Sequence, residues 1–187
     1  MKFSMKKVTV LLADGFEEIE ALTVVDLLRR AKVYVDTVSI TDDYTVRGAH
    51  GIPVQTEDLI TEIDFKESDM IVLPGGMPGT TNLKEDENVR KAVQEAYDDG
   101  RYVAAICAAP TILAYLVILK GKRATCYPDM ESEIEDAYLT GAPVATDENI
   151  ITSQGVGTAI DFALKLIEVL ISEEKAVEIA DSIVYQR

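Results

Sequence analysis

The sequence predicts an α/β protein: a doubly wound, mostly parallel sheet with helices on both faces. Three observations carry this. Apolar runs without polar alternation, K-V-T-V-L-L over Lys7–Leu12, D-M-I-V-L over 69–73 and Y-V-A-A-I over Tyr102–Ile106, read as strands buried on both sides. Segments of helical period alternate with them, as β-α-β units require. The length of 187 residues, 48% hydrophobic and 27% charged, suits one domain with a sizeable core.

Each element has a local reason. Lys7–Leu12 is interrupted only by Thr9, and residues 13–16 (A-D-G-F) form a turn. From Glu17 onward Ile19, Leu22, Val25, Leu28 and Ala31 recur every third residue, and Arg29, Arg30 and Lys32 suit the negative end of a helix dipole. Residues 33–40 (V-Y-V-D-T-V-S-I) are a second strand, which closes a right-handed β-α-β unit. Residues 41–58, with Gly48, Gly51 and Pro53, read as a hairpin or extended excursion. The strand at 69–73 runs into P-G-G-M-P-G at 74–79, where glycines let the backbone approach other groups closely. A helix over 88–99 stops at Gly100. The Tyr102–Ile106 strand leads to a helix from Pro110 to about residue 119. Residues 123–127 form a short strand closed by Pro128, and 144–146 pair with Ile150–Ser153 as a hairpin. G-V-G-T at 155–158 opens a helix to Leu170, and Ser172 starts a last helix over 173–184. No repeat or linker divides the chain, so 1–187 is read as one domain with 1–6 as a loose N-terminal extension.

Charge and cysteine usage narrow the function. A net charge of -15 and a pI near 4.4 leave no basic patch to displace counterions, so no nucleic-acid partner is expected. The short cluster Lys120, Lys122 and Arg123 reads as a solvated helix end. Two cysteines do not make a disulfide framework and fit a reducing, cytoplasmic setting. The N-terminal apolar run is too short for a signal peptide and leads straight into acidic residues. No stretch approaches the roughly 20 apolar residues of a membrane span.

Residue type alone makes Cys107 an inert core thiol; its position argues otherwise. It stands where a strand gives way to a helix, and a side chain in such a turn is raised above the sheet. The Ala108 amide, with one from Gly75 or Gly76 on the neighbouring strand, could serve an oxyanion and lower the thiol pKa. Glu17, Glu18 and Glu20 open the first helix at the same sheet edge. They are either dipole charges or, for one that faces Cys107, an acid or base. His50, the single histidine, lies in the early excursion and reads as structural or interfacial. Cys126 reads as core. One histidine and two distant cysteines give no metal-ligand spacing. G-V-G-T is no dinucleotide fingerprint, and no cofactor is implied.

Three stretches together, A-A-I-C-A-A-P (104–110), V-L-P-G-G (72–76) and V-T-V-L-L-A-D-G-F-E-E-I-E (8–20), resemble the DJ-1/ThiJ/PfpI family, closest to its DJ-1-like bacterial branch. The tail T-S-Q-G-V-G-T-A-I-D-F-A-L-K-L-I-E (152–168) is also similar, so the resemblance spans essentially the whole chain. It implies a flavodoxin-like α/β/α sandwich, a homodimer, a reactive cysteine at Cys107 and a protonated carboxyl at Glu20. Gly76 and Ala108 would supply the amides. It implies a stress-protective activity on small aldehydes or glycated groups, glyoxalase III- or deglycase-like, or alternatively a redox-responsive, chaperone-like sensor oxidised at Cys107. Two departures matter. Ala108 stands where the peptidase-like branch has histidine, so peptidase activity is not expected. Tyr127 stands before Pro128 where several relatives have histidine, and a phenol is a poor base at neutral pH. His50 falls near the family's dimer contact, an accessory position. Val156 replaces a common proline.

Overall fold

The computed structural model describes residues 5–186. The chain runs β1 (Lys7–Leu12), α1 (Glu18–Arg30), β2 (Tyr34–Ser39), β3 (Thr45–Arg47), β4 (Pro53–Gln55), β5 (Asp58–Leu59), β6 (Met70–Leu73), α2 (Gly79–Glu85), α3 (Glu87–Asp98), β7 (Tyr102–Ile106), α4 (Pro110–Tyr115), β8 (Arg123–Ala124), β9 (Tyr138–Leu139), β10 (Val144–Asp147), β11 (Ile150–Ser153), α5 (Ala159–Leu170) and α6 (Glu173–Ser182). The main sheet has the order β10-β11-β7-β6-β1-β2-β5, and only the β10–β11 pair is antiparallel. From β2 across to β11 the order is the flavodoxin-like one, with its switch point between β1 and β6. Ligands in such sheets bind beyond the carboxyl ends at that point, where residues 13–20, 74–79 and 107 come together.

The pleat of β1 distributes the core. Val8, Val10 and Leu12 pack under α1 and α5 with Val24, Leu28, Phe162 and Ile167. Leu11 faces the other side, in a cluster with Ile71 and Leu73 of β6, Leu83 of α2, Val93 of α3 and Ile112 of α4. Both faces are apolar because both are covered, which is why these strands lack polar alternation.

Several boundaries differ from the sequence reading, each for a local reason. Glu17 is not helical but caps α1: its backbone is extended and its side chain accepts the Ile19 N–H at 3.3 Å. Helix α2 has no signature in the sequence because G-T-T-N is a poor helix former. A tertiary bond helps hold it instead, from Asn82 Nδ2 to Asp14 O at 2.8 Å. Helix α4 stops at Tyr115, and Val117 lies beyond it at φ 62°. The apolar pattern continues to 119 because Ile118 and Leu119 are buried, not because they are helical. Strand β8 covers only Arg123–Ala124, and the last helix ends at Ser182. The 41–58 excursion splits into the β3–β4 hairpin and β5, which joins the sheet edge beside β2. Of the N-terminal extension, residues 1–4 lie outside the described residues. Lys6 is tied down: its carbonyl accepts the Tyr34 N–H at 2.9 Å and its Nζ pairs with Asp69 at 2.8 Å.

Candidate active site

Cys107 follows the last residue of β7 with φ at 65°, a conformation uncommon for a side chain other than glycine. Its backbone is locked on both sides. Its N–H donates to Ser153 O at 3.0 Å, and its carbonyl accepts the Tyr127 N–H at 2.8 Å. The turn throws the thiol up from the sheet edge, where it is half-buried. The backbone N–H groups of Ala108 and Gly76 lie close enough to the sulfur to favour its ionised form.

Glu20 reaches the same point from the first turn of α1 and is fully buried. Its Oε2 accepts the Gly75 N–H at 2.8 Å. Its Oε1 is buried and finds no partner of ordinary hydrogen-bond geometry among the described residues. The Cys107 sulfur interacts with this carboxyl, so the two groups touch without a closed hydrogen bond. The two glycines make this approach possible. A Cβ on Gly75 would lie 2.5 Å from Cys107 Cβ and 2.7 Å from Glu20 Oε2. Gly76 has φ 90°, and a Cβ there would meet Glu17 N at 2.4 Å. Gly75→Ala is therefore expected to prise the pair apart, cutting turnover about a hundredfold or more, as misplacement of about 1 Å does. Activity within about twofold of wild type would show that the close approach is not needed.

The electrostatics of the pair differ from the sequence expectation. Burial pushes the Glu20 carboxyl up to about 7, against the Cys107 contact and the Gly75 N–H, which favour its ionised form; the Glu17 charge adds to the rise. The thiol was expected to be lowered by its helix N-terminus. Instead burial, and then the negative charge of Glu20 beside it, push Cys107 up to about 12, and the Ala108 and Gly76 amides only partly offset this. Helix α4 is six residues long and supplies little dipole. The physical reading is one shared proton. While Glu20 is ionised the thiol keeps its hydrogen; when the proton moves to Glu20, the repulsion vanishes and the amides stabilise a thiolate.

A cleft of about 420 Å³ opens over Cys107 and Glu20. Tyr127, Pro128 and Val156 line it, as does Glu17, the residue that caps α1. Gln154, Gly155 and Thr158 also line it. A Cβ on Gly155 would stand 3.9 Å from both Cys107 Sγ and Glu20 Oε1. The sequence marks G-V-G-T only as a loop opening a helix; the turn reaches the cleft because β11, which leads into it, pairs with β7, which leads into Cys107. The turn is held by Thr158 Oγ1, which accepts the Gly155 N–H at 3.1 Å and bonds Ser153 Oγ at 2.7 Å.

His50 does not line the cleft. Its Nδ1 sits 2.8 Å from Glu18 Oε2 and 3.6 Å from Glu17 Oε2, with two thirds of the side chain exposed. The Glu18 hydrogen bond raises His50, and the Glu17 charge adds to this. Burial pushes Glu18 up, but the hydrogen bonds from His50 and neighbouring amides outweigh it and hold it low. Among the described residues Glu17, Glu18 and His50 are the one group of three metal-ligand types within 4.8 Å of one another. As it stands, the group is held by the His50–Glu18 hydrogen bond. Cys126 is buried, pushed up to about 12 by burial and then by the charges of Glu131 and Glu133, and donates to Tyr127 O at 3.3 Å. No helix among the described residues is long and apolar enough to cross a membrane.

Residues 6–169 match the DJ-1/PfpI family. The chain is 39% identical over 186 residues to Protein DJ-1 homolog B of Arabidopsis thaliana, covering 98% of this chain but 42% of that protein, so it spans under half of that relative. It is 34% identical over 182 residues to Glutathione-independent glyoxalase DJ-1 of Schizosaccharomyces pombe, covering 91% of this chain and 94% of that one. Among solved structures, oxidized Toxoplasma gondii DJ-1 superposes with a TM-score of 0.92 at 35% identity, covering 97% and 100% of the two chains.

Proposed function

The chain belongs to the DJ-1/PfpI family, and from that premise we propose that it is a cytoplasmic, cofactor-independent, stress-protective enzyme that acts on reactive carbonyls through Cys107. The observation that carries the proposal is the buried Glu20 carboxyl in contact with the elbow thiol, raised to about 7 by its burial. A carboxyl poised there can both give and take a proton at neutral pH. The relative named as a glutathione-independent glyoxalase supports the reaction class.

The reaction is an internal redox: R-CO-CHO and water become R-CHOH-COO⁻ and a proton. With the shared proton on Glu20, the Cys107 thiolate adds to the aldehyde carbon, and the Gly76 and Ala108 amides hold the oxyanion, which takes the Glu20 proton to give a hemithioacetal. Glu20, now ionised, removes the former aldehyde hydrogen as a proton and returns it to the neighbouring carbon, while the hemithioacetal hydroxyl proton passes to the former keto oxygen. The aldehyde carbon is thereby oxidised to a thioester and the keto carbon reduced to an alcohol. Water then releases the hydroxy acid and the thiol. A deglycase-like action on glycated groups would use the same adduct. Ala108, in place of a histidine, supplies no base for peptide hydrolysis. The test is conversion of methylglyoxal to lactate by the purified chain without glutathione; consumption no faster than with Cys107→Ala rejects the enzyme reading.

A second reading, a redox-responsive and chaperone-like sensor, is favoured by the same buried, unfilled Oε1 of Glu20. A protonated Glu20 there would donate to a sulfinic oxygen, formed when two peroxide molecules each give one oxygen to the sulfur. A gain of about 32 Da confined to Cys107 after mild peroxide supports it; oxidation without site preference rejects it. The expected homodimer finds support in the exposed apolar pair Ile19 and Leu22 on α1 with Ile52. Sedimentation as a monomer would remove it.

A further inference from the structure

This inference rests on the reading of Cys107 as a carbonyl-directed nucleophile and concerns which carbonyls reach it. A cleft of about 420 Å³ falls in the range that receives ligands much larger than a three-carbon dicarbonyl. Its lining includes Tyr127, Pro128 and Val156, with Tyr127 and Val156 still more than two fifths exposed. The charged groups that line it are Glu17 and Glu20, both carboxylic; no lysine, arginine or histidine among the described residues does so. The nearest cationic group to Glu17, His50, is committed to Glu18 at 2.8 Å. The Gln154 amide, a possible anion donor, is turned to Gly141 O at 3.3 Å. Glu17 is fixed in place: its N–H donates to Gly75 O at 2.8 Å, and its side chain caps α1 through Ile19.

We propose that the cleft selects uncharged 2-oxoaldehydes bearing an apolar, aryl-sized substituent, and that the Glu17 carboxylate is the specificity-determining charge that repels anions from it. The reaction gives this charge a use. Its substrate is neutral and its product is a 2-hydroxy carboxylate formed in the same cleft. Like charges a few ångströms apart in a partly desolvated site repel strongly, so the product is expelled as it forms and 2-oxo acids are kept out. The substituent R rests against Tyr127, Pro128 and Val156 while the aldehyde carbon meets Cys107.

Mandelate and mandelamide have the same ring and size and differ in charge, so they read the filter without turnover. Calorimetry on the full chain is expected to show mandelamide bound at least about tenfold more tightly than mandelate. Glu17→Gln should collapse that ratio to about twofold, mainly by tighter mandelate binding, whereas Glu17→Asp should keep it. Equal binding of the two ligands, binding of neither, or an unchanged ratio in Glu17→Gln overturns the proposal. Phenylglyoxal turnover is measured alongside. If the binding ratio holds but phenylglyoxal is consumed no faster than by Cys107→Ala, the catalytic reading fails and the filter stands.

Discussion

Cys107→Ala is expected to reduce methylglyoxal turnover by at least about a thousandfold, to the level of protein that lacks a nucleophile. No other described side chain can substitute, because Cys126 is buried away from the cleft and its thiol is held protonated. The fold should survive, since Ala108 and Ala109 beside it are already small and buried. A companion variant separates chemistry from strain. Cys107 holds φ at 65°, which costs a side-chain residue about 1–2 kcal/mol and glycine almost nothing. Cys107→Gly should therefore be as inactive as Cys107→Ala yet more stable than it by about 1 kcal/mol in denaturant unfolding. Equal stability of the two variants would show that the elbow stores no strain. Residual turnover above a hundredth of wild type would assign the chemistry elsewhere.

Glu20→Gln is expected to lower kcat by about 10²–10⁴ with little change in KM, because a group that moves protons in the transition state contributes chiefly to kcat. It should also change how stability depends on pH. The carboxyl is raised from 4.5 to about 7 in the folded protein. A raised pKa means that the folded state holds the proton more tightly, so the stabilising effect is complete below pH 4.5 and is lost as pH rises through 7. The amount is about 3 kcal/mol. Gln cannot ionise, and its amide oxygen can still accept the Gly75 N–H. The variant should therefore gain on wild type between pH 5 and pH 8 by up to about 3 kcal/mol, read as the difference in urea midpoints. Parallel pH profiles for the two proteins would mean that Glu20 titrates as an ordinary surface carboxyl.

Much of this site was legible in the sequence because short-range chemistry dictates it. The apolar runs fixed β1, β6 and β7, and their parallel order follows from intervening helices. Cys107 could be placed at the elbow from A-A-I-C-A-A-P alone, and the glycines at 75 and 76 could be marked as a close approach. What stayed hidden depends on contacts distant in sequence. Glu17, Glu18 and Glu20 look alike in the chain, and only the family resemblance singles out Glu20; the fold turns Glu20 to Cys107, lines the cleft with Glu17 and binds Glu18 to His50. The direction of the thiol shift was misjudged for the same reason. Helix dipole and amides are visible locally, whereas burial and a carboxylate carried in from 87 residues upstream are not. Helix α2 is not legible because its sequence is a weak helix former and its anchor, Asp14 O, lies 68 residues away in the chain.

The central claim is that Cys107 and Glu20 act as a unit with one proton between them. The rate of Cys107 alkylation by iodoacetamide as a function of pH tests it without any substrate. In wild type the reactive thiolate appears as the pair loses its first proton, so the rate should rise with a midpoint near 7, set by Glu20. In Glu20→Gln that rise should vanish and be replaced by a single titration displaced from it by at least about one unit. The same midpoint in both proteins would contradict the shared proton and leave Cys107 as an independent thiol.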